Sequence, residues 1–199
     1  TTTNMKLKVA INGFGRIGRN AFKVAMTKKN ISVVAINDLA DEATLAHLLQ
    51  YDSVYGVYEK KVGTTPGHIV VEGKAVPILS CKEPSALPWK AMEVDVVLEC
   101  TGLFTTEESA RPHIDAGARR VIISAPPKGG DVGTYVMSVN EASARKGGEI
   151  VSNASCTTNC IAPVAAIVHE AFGILKAMMT TVHAYTADQR LHDAPHKDL

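Results

Sequence analysis

Apolar and polar positions alternate along the chain in two rhythms, one short and continuous, the other helical. Val9-Ala10-Ile11, between Lys8 and Asn12, is a short apolar run of the kind that forms a buried strand. After it, Ile17, Ala21, Phe22, Val24 and Ala25 fall at helical spacing. Ser32 to Asn37 reads as a second strand that ends in Asp38, and Asp41 to Tyr51 is helical, with Leu45, Leu48 and Leu49 on one face. The texture changes between Gly63 and Pro88, where His68–Val71 and Ala75–Leu79 flank a hairpin-like turn at Glu72-Gly73-Lys74. Val94 to Cys100 predicts a continuous apolar strand, broken by Thr101-Gly102. Thr105 with Glu108 fits a capping box that opens a helix closed by Gly117. Further strands are predicted at Val121–Ser124, Tyr135–Val139 and Ile150-Val151, and one more at Met178–Val182, with His183 at its carboxyl end. Ala125 to Asp131, rich in Pro and Gly, is the strongest loop signal. Strands that alternate with helices and are apolar throughout predict a doubly wound α/β fold, its mostly parallel sheet covered on both faces.

Composition narrows the function classes. The chain has 199 residues, 46% of them hydrophobic, and 21 Lys and Arg balance 20 Asp and Glu to give a net charge of +1. That is enough apolar chain to bury a core, and too little positive charge for an electrostatic nucleic-acid binder. No apolar run approaches the ~20 residues that a membrane span needs. The 4 Cys are too few and too scattered for a disulfide framework, and their spacing suggests no metal. With no apolar signal segment at the start, these features predict a reducing, cytoplasmic setting.

Gly13, Gly15 and Gly18 make a GxGxxG spacing between the first strand and the first helix, and Asp38 closes the next strand. Gly13 permits a tight turn, Gly15 lets a pyrophosphate approach the backbone, and Gly18 allows close helix–strand packing. The helix N-terminus offers N–H groups to the phosphates, and Asp38 would accept hydrogen bonds from the adenosine ribose hydroxyls. In this context the motif predicts a Rossmann-type dinucleotide site; the competing reading is a glycine turn with a structural role alone. Thr101, Gly102 and Ser124 stand where parallel strands end, as ligand-contacting residues do, and as ordinary strand-ending turns also do.

The second informative stretch is Ser152 to Cys160. Ile161, Val164, Ile167, Val168 and Phe172 then fall at helical spacing up to Gly173. Because proline is tolerated only in a first turn, Pro163 predicts a helix that begins within Thr157–Ala162. Cys156 then lies at the helix N-terminus, where partial positive charge favours a thiolate. Cys156 and the distant His183 are candidates for a thiolate–imidazole pair. A cysteine is also commonly a small core hydrophobe, the role predicted for Cys81, Cys100 and Cys160, and six other histidines compete for the part of base.

These residues together resemble one family. Lys8 to Arg19, Asn37-Asp38-Leu39, Tyr51-Asp52-Ser53, Ser124-Ala125-Pro126, Ala154 to Cys160 and Thr181 to Thr186 are similar to phosphorylating glyceraldehyde-3-phosphate dehydrogenases, and the likeness runs from about Lys6 to Leu199. The resemblance implies Cys156 as nucleophile and His183 as the base that activates it. It implies NAD contacts from Asn12, Gly13, Gly15, Arg16, Ile17, Asp38, Lys82, Thr101, Gly102, Phe104 and Ser124, and substrate or phosphate contacts from Ser155, Thr157 and Thr186. It further implies glyceraldehyde 3-phosphate and inorganic phosphate as substrates in a glycolytic step. A homotetramer is implied too, in which Gln189–Leu199 reaches a neighbour's nucleotide site. The erythrose-4-phosphate version of this chemistry is the alternative substrate reading.

The family divides into an NAD-binding domain, residues 1–154 here, and a catalytic domain. Residues 155–199 are too few for a second domain of typical size. The expectation is therefore an incomplete catalytic domain, and for the 199-residue chain alone negligible turnover and poor solubility, a nucleotide-binding fragment without catalysis. Lys82 stands where the family usually has Arg. Asp38 predicts NAD over NADP, because a carboxylate about 4 Å from a 2′-phosphate costs on the order of 4 kcal/mol at an effective dielectric near 20, less where solvent enters. Ala194-Pro195, where NAD-specific members carry Leu before the Pro, leaves room for some dual use.

Overall fold

Alternation of side chains on the two faces of one central strand organises the core. A computed structural model describes residues 6–144 and 146–186. In chain order the elements are β1 (Leu7–Asn12), α1 (Arg16–Ala25), β2 (Ile31–Asn37), α2 (Glu42–Gln50), the short strands β3 (Tyr51–Asp52) and β4 (Gly56–Val57), and the meander β5 (Val62–Thr65), β6 (His68–Val71) and β7 (Lys74–Leu79). Then come β8 (Val96–Glu99), α3 (Glu107–Asp115), β9 (Arg120–Ile123), β10 (Gly133–Thr134), α4 (Glu141–Ala144), β11 (Ile150–Ser152) and α5 (Cys156–Phe172). The large sheet has the order β10-β11-β9-β8-β1-β2-β7-β6-β5, parallel from β10 to β7 and antiparallel from β7 to β5.

In β1, Ala10 pairs with Ala35 and Ile11 with Ile36, so successive pairs face opposite sides of the sheet. On one side Ala10 and Ala35 join Trp89, Val97, Ala110 and Val121. On the other, Ile11 and Ile36 join Phe14, Phe22, Leu45 and Leu49, which α1, α2 and the turn before α1 bring down onto the sheet. Phe14 and Phe22 are fully buried and meet edge to face, with centroids 5.6 Å apart. Burial of each ring stabilises by roughly 1.5–3 kcal/mol. The doubly wound, mostly parallel sheet is the one that the apolar runs predict.

Five local expectations are corrected. The capping box of α3 lies one residue later than predicted: the Thr106 hydroxyl accepts from the Ser109 N–H at 3.0 Å, and Ser109 Oγ accepts from the Thr106 N–H at 3.0 Å. Tyr135–Val139 is not a strand, because the Asn140 side chain accepts from the Val136 N–H at 2.8 Å and bends this stretch into a turn. The predicted strand at Met178–Val182 is absent. A strand needs a neighbour for its N–H and C=O groups, whereas Met178 and Val182 are fully exposed. Finally, α5 begins at Cys156, two turns before Pro163. None of its residues is buried, and Asn159, whose carbonyl the proline leaves without a donor, is exposed, which lowers the cost of an interior proline. Cys160, predicted near the core, is exposed on this helix for the same reason.

Candidate active site

The chain runs from β1 outward to β2 and β7, then crosses back to β8 on the other side of β1. This reversal opens a crevice beyond the carboxyl ends of β1 and β8, where open α/β sheets bind ligands. Asn12 and Gly13 lie at one lip, Thr101 and Gly102 at the other. Gly13 has φ +88°, and a Cβ there would stand 2.7 Å from the Thr101 nitrogen. At Gly18 a Cβ would meet the Gly13 carbonyl oxygen at 2.0 Å. Both positions need glycine for packing. Gly15 differs: a Cβ there meets nothing within 4 Å, and as N-cap of α1 it brings no side chain to the helix end. Open space above an uncapped helix N-terminus suits a pyrophosphate.

Asp38, after β2, accepts from the Phe14 N–H at 2.7 Å through Oδ2 and from the Ala40 N–H at 3.0 Å through Oδ1. It thus holds the glycine turn itself, and each oxygen keeps a second lone pair for a ribose hydroxyl. Arg16 opens α1, its guanidinium 3.0 Å from Asp52 Oδ1. The Tyr55 and Val54 N–H groups, with Arg16 behind them, bring the Asp52 carboxyl down to about 2. Ile17 is exposed beside Arg16. Ser124 follows β9 directly, beside the Cys100 thiol, and half-buried Phe104 meets His113 edge-on at 6.1 Å. Lys82 is exposed beyond β7. The other predicted nucleotide contacts stand at the ends of β1, β2, β8 and β9 or in the turns that follow them.

The predicted nucleophile and base meet. Cys156 Sγ lies 3.2 Å from His183 Nε2. The local chain explains the position of the sulfur. Ala154, buried and at φ 62°, turns the chain out of β11. Ser155 then caps α5 by accepting from the Thr158 N–H at 2.9 Å, and Asn159 reaches back to the carbonyls of Asn153 at 2.6 Å and Ser155 at 2.9 Å. Cys156 is left as the first residue of the helix. His183 Nδ1 is bonded to the Ala184 carbonyl, which can only accept, so Nδ1 carries a proton and Nε2 faces the sulfur. The His183 hydrogen bond, helped by the Thr157 N–H and hydroxyl, holds the Cys156 thiol below its ordinary value. Desolvation instead pushes the Cys100 thiol up to about 12. Of these two cysteines, only Cys156 is activated.

Ser155 and Thr157, predicted to touch substrate or phosphate, are thus engaged locally with the Thr158 N–H and the Cys156 sulfur. Thr186 is exposed at the end of the described residues, and the predicted neighbour-reaching segment Gln189–Leu199 lies outside them. Sequence reasoning missed the polar cluster beneath the crevice: Glu99 and His113, both fully buried, with Asn12, Asn37 and Trp89. The signal that could have found it was Glu99 itself, a lone carboxylate at the end of a buried parallel strand.

Comparison with known proteins agrees with this geometry. Residues 7–107 match the family model described as glyceraldehyde 3-phosphate dehydrogenase, NAD binding domain, and residues 155–199 match the C-terminal domain of the same family. The chain is 53% identical to glyceraldehyde-3-phosphate dehydrogenase of Geobacillus stearothermophilus over 98% of its own length and 58% of the relative's. It is 52% identical to the protein of that name from Borreliella burgdorferi, over 97% of this chain and 58% of the relative. For Thermotoga maritima the identity is 52%, over 96% and 58%. The chain therefore spans somewhat under three-fifths of these relatives' length. Among the described residues no helix is long and apolar enough to cross a membrane. NAD is the cofactor that fits the glycine turn, the open helix end and Asp38, and the agreement across both matched regions places this chain in the glyceraldehyde 3-phosphate dehydrogenase family.

Proposed function

We propose that the full-length protein oxidises glyceraldehyde 3-phosphate to 1,3-bisphosphoglycerate, with Cys156 as nucleophile and His183 as general base. The observation that carries this reading is the 3.2 Å approach of Cys156 Sγ to His183 Nε2 at the N-terminus of α5. His183 takes the thiol proton at Nε2, and its Nδ1 bond to the Ala184 carbonyl keeps the ring in the tautomer that can do so. The Cys156 thiolate adds to the aldehyde carbon, forming a C–S bond as the carbonyl π bond breaks, and His183 Nε2 returns its proton to the oxygen to give the hemithioacetal, which leaves Nε2 free again. His183 Nε2 then receives the hemithioacetal hydroxyl proton as that carbon is oxidised to a thioester. NAD, when bound, supplies the acceptor for the two electrons and hydrogen that leave as hydride. Attack of phosphate oxygen on the thioester forms the acyl phosphate and breaks the C–S bond, returning Cys156. A thioester retains oxidation energy that a free acid would lose.

The reading also includes a division into a nucleotide domain over residues 1–154 and the start of a catalytic domain from 155, a homotetramer, and a cytoplasmic setting. Sedimentation of the full-length protein at single-subunit mass would remove the tetramer from it. Cys156→Ser in the full-length protein should lower turnover by about 10³-fold or more, since a hydroxyl at ordinary pKa is a poor nucleophile. More than a few per cent of native turnover in that variant would overturn the assignment.

A further inference from the structure

Beneath the crevice, five side chains form one buried chain of hydrogen bonds whose direction is fixed at both ends. At one end, the Trp89 indole N–H donates to His113 Nδ1 at 3.0 Å. An indole nitrogen can only donate, so Nδ1 is an acceptor and the ring proton sits on Nε2. That proton points at Glu99 Oε2, 3.1 Å away. At the other end, the Asn37 amide pairs with the backbone of Cys81, its oxygen accepting from the Cys81 N–H at 2.8 Å and its nitrogen donating to the Cys81 carbonyl at 2.8 Å. Amide orientation is often ambiguous, but backbone partners of both kinds settle it here. The second N–H of Asn37 donates to Asn12 Oδ1 at 2.7 Å. The Asn12 amide is thereby oriented too, and its nitrogen donates to Glu99 Oε2 at 2.6 Å. The remaining oxygen of Glu99 accepts from the Thr101 N–H at 2.8 Å and from the Thr101 hydroxyl.

Four donors therefore converge on one carboxylate that is fully buried and, among the described residues, has no Lys or Arg paired with it. Two belong to the turn after β8 and one to the end of β1, the two lips of the crevice. A single acceptor group spans the switch point from below, and only an acid can satisfy every donor.

We propose that Glu99 is a positioning residue for the dinucleotide: it ties the Thr101-Gly102 turn to the Asn12-Gly13 turn and so sets the width of the crevice that grips NAD. The inference rests on NAD binding at this site. A glutamine at position 99 has the same size but one acceptor oxygen fewer. If its amide nitrogen faces Asn12 and His113, it meets two donors whose directions Asn37 and Trp89 fix. If it faces Thr101, it meets a backbone N–H. Either way two donors oppose each other in a dry site, which costs more than a missing bond. The reciprocal exchange Asn12→Asp with Glu99→Gln removes the conflict. The carboxylate then placed at position 12 would accept from Asn37, from the new amide, and from His113 Nε2, which already lies 3.4 Å from the side-chain nitrogen at that position. The amide oxygen then placed at position 99 would keep both Thr101 donors.

The experiment is calorimetric titration of the full-length protein with NAD, alongside thermal melts and steady-state kinetics. Glu99→Gln should weaken NAD binding about tenfold or more and raise the KM for NAD in step, with the KM for the aldehyde within about twofold of native. The Asn12→Asp/Glu99→Gln pair should bind NAD at least about threefold more tightly than Glu99→Gln alone and recover most of the Tm that the single variant loses. Glu99→Gln binding NAD within about twofold of native overturns the proposal, and so does a double variant as weak as the single one. If Glu99→Gln does not fold, Glu99→Asp decides, since it keeps the carboxylate but is too short to reach both turns. A loss of about fivefold in NAD affinity supports the proposal, and a change within about twofold overturns it. Failure of the native protein to bind NAD would instead overturn the cofactor reading beneath it.

Discussion

Cys156 and Cys100 show how far one side-chain type can be pushed in opposite directions within one chain. The His183 bond and the Thr157 donors hold the Cys156 thiol below its ordinary value, whereas desolvation raises that of Cys100 to about 12. The thiolate is the form that alkylates. Iodoacetamide should therefore modify Cys156 first, and its rate should stay high below the pH at which a free thiol stops reacting. It should fall only as acid takes the pH through the lowered Cys156 value. Replacing His183 with Ala removes the main stabiliser of the thiolate, so the profile should move to higher pH. The rate at neutral pH should then drop roughly tenfold for each pH unit that the profile moves. Peptide mapping of the labelled protein across pH measures both. An unmoved profile in His183→Ala would show that the helix end, not the imidazole, sets the reactivity.

At the scale of elements, the three glycines of the first turn separate folding from binding. A Cβ at Gly18 would stand 2.0 Å from the Gly13 carbonyl oxygen, so Gly18→Ala must push α1 away from β1. That overpacking should cost about 1–3 kcal/mol and lower Tm by roughly 3–10 °C. Gly15 sits at φ −71° over open space, so Gly15→Ala should change stability by under about 1 kcal/mol while weakening NAD binding through the methyl it puts in the ligand's path. Melting curves and NAD titrations of the two variants test the split; equal loss of stability in both would refute it. The GxGxxG spacing made this turn legible because its causes lie within a few residues. Legible too were Cys156 at a helix start and Asp38 at a strand end. Illegible were features that depend on distant partners. The Asn12–Glu99 bond joins residues 87 apart, and no local pattern encodes it. The Met178–Val182 run has the apolar composition of a strand, but composition does not supply the neighbour that a strand requires. Pro163 misled for a related reason: the rule that excludes it assumes that the freed carbonyl has no water.

On the scale of the molecule, the sheet has both faces filled, whereas α5 and the chain after it do not. Ile167, Phe172, Leu175 and Met178 are each at least two-thirds exposed, an apolar run well beyond the scattered exposure normal for a soluble surface. The 199-residue chain should therefore associate as concentration rises and bind a hydrophobic dye. Ile167→Lys with Phe172→Glu should reduce both without changing NAD affinity, since neither residue lies near the crevice lips. Light scattering and dye fluorescence decide it, and a monodisperse, dye-free native chain would count against it. The position of β1 has a different consequence, in the order of assembly. Among the described strands β1 is the earliest in the chain, yet it occupies the middle of the parallel run, between β2 and β8. As the chain lengthens, β2 is the first of its two neighbours to emerge, and one edge of β1 stays open until β8 has been made. Through that interval the growing chain carries a bare, apolar strand edge of the kind that pairs with other chains. The crevice is the last part of this sheet half to close, because its second lip does not exist before Thr101. The fold thus makes its ligand site and its protection from aggregation mature in the same step.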